Sequence, residues 1–178
     1  MNKPLIIICG KSGVGKTTLI RKLCALYDLK TVNSYTTRPQ RFFDESGHVF
    51  LSDKKFDLLQ EKFIEFSFCN ARYCITLTQI MQADILGLPP NAFKELLDKQ
   101  KLLKRRIKLI YIKVPDDIRF QRMKQRGDSL AVINSRIRTE DIYFIDLEKY
   151  ANKIVYNYNL YHAIEEIGGY IKNNEGQN

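Results

Sequence analysis

Metal-binding and redox frameworks are the first things this sequence does without. It holds two histidines and four cysteines, Cys9, Cys24, Cys69 and Cys74, none of them in a CxxC pair. Structural zinc needs clustered thiolates and imidazoles, so no zinc site is expected. A disulfide framework suits small secreted chains with little core. Here 44% of 178 residues are apolar, enough for a real core in a single domain, and Cys9 and Cys24 fall in apolar patterns as expected core thiols. Runs of 18 or more apolar residues are absent, which leaves no candidate membrane span. The apolar start, residues 4–9, runs straight into glycines with no small-residue cleavage site. It reads as a buried strand rather than a secretory leader, and a cytoplasmic chain is expected. Internal repeats and low-complexity tracts are missing too.

Acidic residues are in short supply: 20 against 29 basic ones, a net charge of +9. Such an excess suits either nucleic acid or a pocket for polyanionic small molecules, and charge alone does not choose. No aromatic stacking platform accompanies it, which argues against nucleic acid. The densest basic run, KQKLLKRRIK at 99–108, is expected to be a solvated loop face.

What is present alternates between strand and helix. Leu19, Ile20, Leu23, Cys24 and Tyr27 recur at helical spacing within 17–27. A helix is expected over 52–63 with Ser52 as its cap, short strands over 63–68 and 72–76, and a helix opened by Pro89 and Pro90 that runs to about 101. A strong strand follows at 107–114, helices at 116–125 and 130–150 parted near Gly127, a strand at 153–156, and a helix at 160–171 weakened by Gly168 and Gly169. The polar tail after it is expected to fray. Alternation of this kind predicts an α/β fold with a parallel sheet covered by helices on both faces. Residues 38–76 break the rhythm with short strands and loops and read as a small inserted subdomain.

Residues 10–17, GKSGVGKT, fit the phosphate-binding pattern G-x-x-x-x-G-K-[ST], placed between an apolar strand and an amphipathic helix. Glycines let successive backbone N–H groups curl around phosphate oxygens, and the helix aims its positive end at the same anion. Gly10, Lys11, Ser12, Gly13, Val14, Gly15, Lys16, Thr17 and the adjoining Thr18 are thus expected to hold ATP. Lys16 would reach the β- and γ-phosphates, and Thr17 would offer its hydroxyl to Mg²⁺. A donor loop does not name an acceptor. The stretch NSYTTRPQRFFDESGHVFLS, 33–52, carries Arg38 and Arg41 three residues apart; the two guanidinium groups suit a phosphate clamp, and surface charges on a loop are the alternative.

With these residues in view, the chain resembles the guanylate kinase family. Ser34, Thr36, Thr37, Arg38 and Arg41 match its S-x-T-T-R-x-x-R segment, and HVFLS its aromatic YxFVS. FIEFSFCNARYCIT at 63–76 is similar to its FIE…YYGT, FQRMKQRGD at 120–128 to its lid, INSRI at 133–137 to the lid helix, and KIVYNYNLYHA at 153–163 to its last strand with a VND element. The resemblance implies a P-loop NTPase-type core (1–32, 77–118 and 151–173), a monophosphate-binding insertion over about 33–76 and a helical lid over about 119–150. It implies phosphoryl transfer from ATP to GMP or dGMP with Mg²⁺, in a monomer or homodimer with no nucleic-acid or membrane partner. By the same resemblance Ser34, Arg38 and Arg41 would hold the acceptor phosphate, Glu65 would read guanine, and Thr76 would support its edge. Arg122, Arg126 and Arg136 would cover the transferring group, and Asn157 would lie near adenine. Departures fall on the acceptor side. His48 and Cys74 replace tyrosines, with Tyr73 one position early and pointing to the other face. Ile75 replaces a glycine. Of the family's LDIDxQG only ADILGL remains, with Asp84 as a candidate survivor; His48, Tyr73 and Asp84 are kept with the acceptor residues. A kinase of the same architecture with another nucleotide or phosphorylated acceptor, and a non-catalytic module of the same fold that binds a phosphorylated peptide, are the competing readings.

Overall fold

The computed structural model describes residues 3–41, 43–68 and 70–175; Cys69 and the end of the polar tail lie outside them. The chain begins with β1 (Leu5–Cys9), whose five residues LIIIC are all buried. Continuous apolarity is what a strand covered on both faces requires. β1 is central in a four-stranded sheet of order β6–β1–β7–β8, with β6 at Ile85–Gly87, β7 at Ile107–Lys113 and β8 at Lys153–Tyr156, every neighbour parallel.

Alternate side chains of β1 feed two cores. Ile6 and Ile8 meet Leu19 and Leu23 of α1 (Lys16–Tyr27) and Ile164 and Ile167 of α8 (Leu160–Glu175). Leu5, Ile7 and Cys9 meet Ile80 of α3 (Leu77–Gln82), Phe93 and Leu96 of α4 (Pro90–Asp98) and Phe144 of α7 (Leu130–Phe144). Each such aliphatic side chain contributes about 1.5–3 kcal/mol of transfer free energy. Cys9 is the expected core thiol, and Cys24 packs half-buried at the edge of the second cluster.

A second four-stranded sheet is built wholly from residues 34–76, in the order β3–β2–β5–β4. Here β2 is Ser34–Thr36, β3 is His48–Phe50, β4 is Lys62–Phe68 and β5 is Ala71–Thr76. β2 runs parallel to β3 and antiparallel to β5, and β5 antiparallel to β4. Residues directly opposite in a ladder share a face, and successive residues alternate. One face therefore carries Ser34, His48, Tyr73 and Phe66, and the other carries Tyr35, Cys74 and Glu65.

Several elements differ from the sequence expectation. α2 (Asp53–Asp57) keeps Ser52 as its cap, but spans five residues rather than twelve, and Glu61 adopts φ 57° just before β4. The helix expected to end near 101 stops at Asp98 and resumes as α5 (Gln100–Leu103). α7 stops at Phe144, and a 3₁₀ turn, Leu147–Tyr150, follows. α8 runs straight through Gly168 and Gly169. A Cβ on Gly168 would lie 2.0 Å from the Tyr27 hydroxyl, so the glycine lets α1 and α8 pack closely. In the basic run Arg105 is buried: it donates to the carbonyls of Lys3, Ile80, Ala83 and Pro4 and ties the start of β1 to α3. Among the described residues no helix is long and apolar enough to cross a membrane.

Candidate active site

The donor loop joins the C-terminal end of β1 to α1. Gly13 (φ 82°) and Gly15 (φ 95°) occupy left-handed conformations that only glycine enters freely. A Cβ on Gly13 would meet the Arg119 carbonyl at 2.7 Å, and one on Gly15 the Asn157 side-chain nitrogen at 2.6 Å. Lys16 begins α1 and folds back over the loop, its Nζ donating to the carbonyls of Gly10 (2.5 Å) and Lys11 (3.1 Å). Burial draws its pKa down to about 8, while the negative charge of Glu140 works the other way. Thr17 is exposed on the first turn of α1.

Around the loop stands a frame of buried polar groups. Arg119, on α6 (Asp116–Gln125), donates from Nε to the Ser12 carbonyl (2.8 Å) and from its terminal nitrogens to Asp116 and Glu140, each at 2.5 Å. Glu140, on α7, accepts from the Ser12 backbone N–H through both oxygens (3.0 Å each) and from the Ser12 hydroxyl (2.5 Å). Lys11 pairs with the neighbouring Asp141. On the other side Asn157 Nδ2 donates to the Val14 carbonyl (2.8 Å), and Arg122 donates to the carbonyls of Asn157 (2.8 Å) and Val14 (3.4 Å).

Of the residues expected to hold an acceptor phosphate, Ser34 and His48 lie on one face of the second sheet. Ser34 Oγ and His48 Nδ1 are 2.8 Å apart, and the His48 ring meets Tyr73 edge-on with centroids 5.6 Å apart. Tyr73 in turn stacks on Phe66. Arg38 lies over the Phe50 ring and makes a two-pronged pair with Glu45 (2.7 and 3.1 Å), while Arg41 donates its backbone N–H to the same carboxylate (2.8 Å). Burial, with the positive charge of Arg38 added, pushes the His48 pKa down to about 4, so the ring is neutral at neutral pH. Arg38 Nε is buried with no hydrogen-bond partner among the described residues, a donor left over for an anion.

Arg126 and Arg136 mirror this arrangement from α6 and α7. Both pair with Asp128, Arg136 at 3.0 Å, and Arg136 Nε is a second buried N–H without a partner. Burial lowers the Arg41 pKa, and the positive charges of Arg38, Arg126 and Arg136 lower it further; Arg126 also acts on Lys16. The charges of the two arginine pairs thus reach one another through Arg41, and reach Lys16 through Arg126, with Glu45 and Asp128 as their counter-ions.

Five of the expected site residues make other contacts in this structure. Glu65 lies on the Tyr35 face, opposite Ser34 and His48, is exposed, and pairs with Arg72 (3.0 Å) and Lys62 (3.3 Å). Strand alternation puts it there, as it puts Tyr73 rather than Cys74 on the Ser34 face. The Thr76 hydroxyl accepts from the Gln79 N–H as the cap of α3. Asp84 precedes β6, at the end of the parallel sheet away from the donor loop, and accepts from the Lys30 N–H (2.8 Å). Asn157 is buried beneath the loop rather than open to a base, with its Oδ1 unpartnered. Arg122 braces the loop in the same way. Residues the sequence did not signal are Glu45, Arg119, Asp128 and Glu140. Each is a charged side chain at a position that reads as solvent-facing until its partners are known.

Residues 6–143 match the family described as AAA domain. The chain belongs to the AAA domain family. This AAA-domain chain is 28% identical to the guanylate kinase of Thermotoga maritima, over 94% of its own length and 85% of the relative's. Its fold matches the crystal structure of guanylate kinase from Anaplasma phagocytophilum with a TM-score of 0.70 at 14% identity, covering 98% of this chain and 87% of that one. The α/β P-loop architecture and the resemblance to guanylate kinases, both read from the motifs, are borne out.

No group of three or more His, Cys, Asp or Glu side chains among the described residues could hold a metal ion. The C-terminal end of β6, beside the donor loop, offers Gly87 and Leu88 instead of a carboxylate.

Proposed function

We propose that this chain transfers the terminal phosphoryl group of ATP to the 5′-phosphate of GMP or dGMP. The observation that carries the reading is the presence of two arginine pairs, Arg38 with Arg41 on Glu45 and Arg126 with Arg136 on Asp128, whose charges reach one another and Lys16. Clustered cations of this number suit two polyanions held face to face. The attacking phosphate oxygen is already anionic at neutral pH, so no protein base is required, and catalysis reduces to positioning and charge neutralisation. In this reading the loop N–H groups and Lys16 hold the donor, and Arg38, Arg41, Ser34 and His48 hold the acceptor phosphate. Arg126 and Arg136 take up the charge that spreads over the transferring group. Mg²⁺ would arrive with ATP and neutralise phosphate charge, with the Thr17 hydroxyl as its protein contact.

The similarity to guanylate kinases favours guanine as the acceptor base. One observation favours a second reading, a kinase of the same fold with another nucleoside monophosphate as acceptor: neither Glu65 nor Thr76 faces the acceptor seat. A coupled assay for ADP formation over a panel of nucleoside monophosphates separates the two. GMP or dGMP leading the panel supports the first reading, and another monophosphate leading it supports the second. In either case Lys16→Ala is expected to lower kcat by at least about 100-fold, the scale of a lost charge contact to the transition state. Wild-type turnover in that variant, or no transfer to any monophosphate by the unaltered chain, overturns the kinase reading.

A further inference from the structure

We propose that Glu140 is a positioning residue that locks α7 to the donor loop and thereby fixes Arg136 over the site of transfer. The inference rests on the kinase reading above. Glu140 and Arg119 are both almost fully buried, 1% and 0% exposed. Together they hold both ends of one residue: the carboxylate takes the Ser12 N–H and hydroxyl, and the guanidinium takes the Ser12 carbonyl. A buried ion pair of this kind adds little stability over a well-packed apolar pair, and its best-attested use is to fix register. What it fixes here is the place of α7 against the loop, reinforced by the Lys11–Asp141 pair at the next residue.

Arg136 lies one helical turn before Glu140, and residues four apart share a helix face. A single rigid turn of α7 thus carries one side chain that grips the donor loop and one, paired with Asp128, whose charge reaches Arg41. Asp128 holds the Arg136 guanidinium from the turn before α7 (3.0 Å). With Glu140 in place, the distance between the donor loop and Arg136 is set by helix geometry rather than by the free swing of a lid. Without it, Arg136 loses its fixed reference to the bound triphosphate.

A double-mutant cycle on kcat tests this. Glu140→Ala is expected to lower kcat at least tenfold in the unaltered chain and less than twofold in a chain already carrying Arg136→Ala. Equal losses in the two backgrounds overturn the inference, because a merely structural role is indifferent to Arg136. If Glu140→Ala does not melt cooperatively, the pair Arg119→Met with Glu140→Met, which leaves no buried charge alone and no acceptor for the Ser12 N–H, replaces it with the same two outcomes. No phosphoryl transfer by the unaltered chain removes the kinase reading and this inference together. Transfer with equal losses removes the inference alone.

Discussion

His48 sits among cations and still carries no charge. Burial and Arg38 hold its pKa at about 4, against about 6.5 in an unfolded chain. As pH falls below 6.5 the unfolded chain takes up this proton first, so the folded state loses stability between about pH 6.5 and 4 and loses no more below that. The full shift corresponds to roughly 3 kcal/mol, and the partly open ring reduces it to about 1–2 kcal/mol. Urea unfolding of wild type and His48→Gln at pH 7 and 4.5 checks this. The stability difference between the two pH values is expected to be smaller in the variant; equal differences would place an ordinary imidazole there. Neutrality also suits the role proposed for it: a neutral ring beside Ser34 would donate or accept without repelling Arg38 or drawing an acceptor phosphate away from it.

How much could be read in advance divides along the range of the interactions involved. Gly10–Thr17 are legible because loop, glycine conformations and following helix are contiguous in sequence. Arg38 and Arg41 are legible as a pair for the same reason. The surroundings of Glu65, Thr76 and Asp84 were not legible, because they depend on facts that no local pattern holds: which β4 residue opposes Cys74, which residue caps α3, and which end of a parallel strand meets the loop. Glu140 and Arg119 look like surface charges on helices, and only the packing of α7 and α6 on the loop buries them.

Elements show the same limits and can be tested separately. The β4–β5 hairpin directs Glu65 away from the acceptor seat and into an exposed pair with Arg72, the kind of contact worth about 0–1 kcal/mol. Glu65→Gln is therefore expected to change the KM for the monophosphate less than about threefold, whereas Arg38→Ala, which removes a phosphate clamp, is expected to raise it at least about 30-fold. A reversed order would mean that the hairpin turns its other face to the bound base. On the far side of the molecule, α1 and α8 meet where Tyr27 covers Gly168. Gly168→Ala puts a methyl group within 2.0 Å of the Tyr27 hydroxyl and is expected to cost about 1–3 kcal/mol through overpacking. In a Tyr27→Ala background the same change is expected to be neutral or slightly stabilising, because alanine favours helix over glycine by roughly 1 kcal/mol. Thermal melts of the four chains give the coupling, and additive losses would show that the helices do not approach there as described.

At the scale of the whole molecule, the two sides of the cleft use one device twice. Arg38 and Arg41 share Glu45, and Arg126 and Arg136 share Asp128. Each carboxylate occupies the kind of position between two guanidinium groups that a phosphate oxygen would take, and each keeps like charges together while no nucleotide is bound. Burial works against the charge of Asp128, and Arg126, Arg136 and Arg41 more than offset it, so its pKa lies below the usual range and it remains ionised at neutral pH. Asp128→Asn removes the negative charge and keeps the shape. The ligand-free chain then holds Arg126 and Arg136 without their counter-ion, and a loss of about 1–2 kcal/mol is expected, a fall of roughly 2–8 °C in Tm for a chain of this size. With ATP and monophosphate bound, the phosphates supply the missing charge. The gain in Tm on adding both nucleotides should therefore be larger in Asp128→Asn than in wild type, since ligands that bind the folded state add most where they replace a lost interaction. Scanning calorimetry of the two chains, with and without nucleotides, makes the comparison. An equal gain in both would mean that Asp128 and the substrate phosphates do not compete for the same arginines.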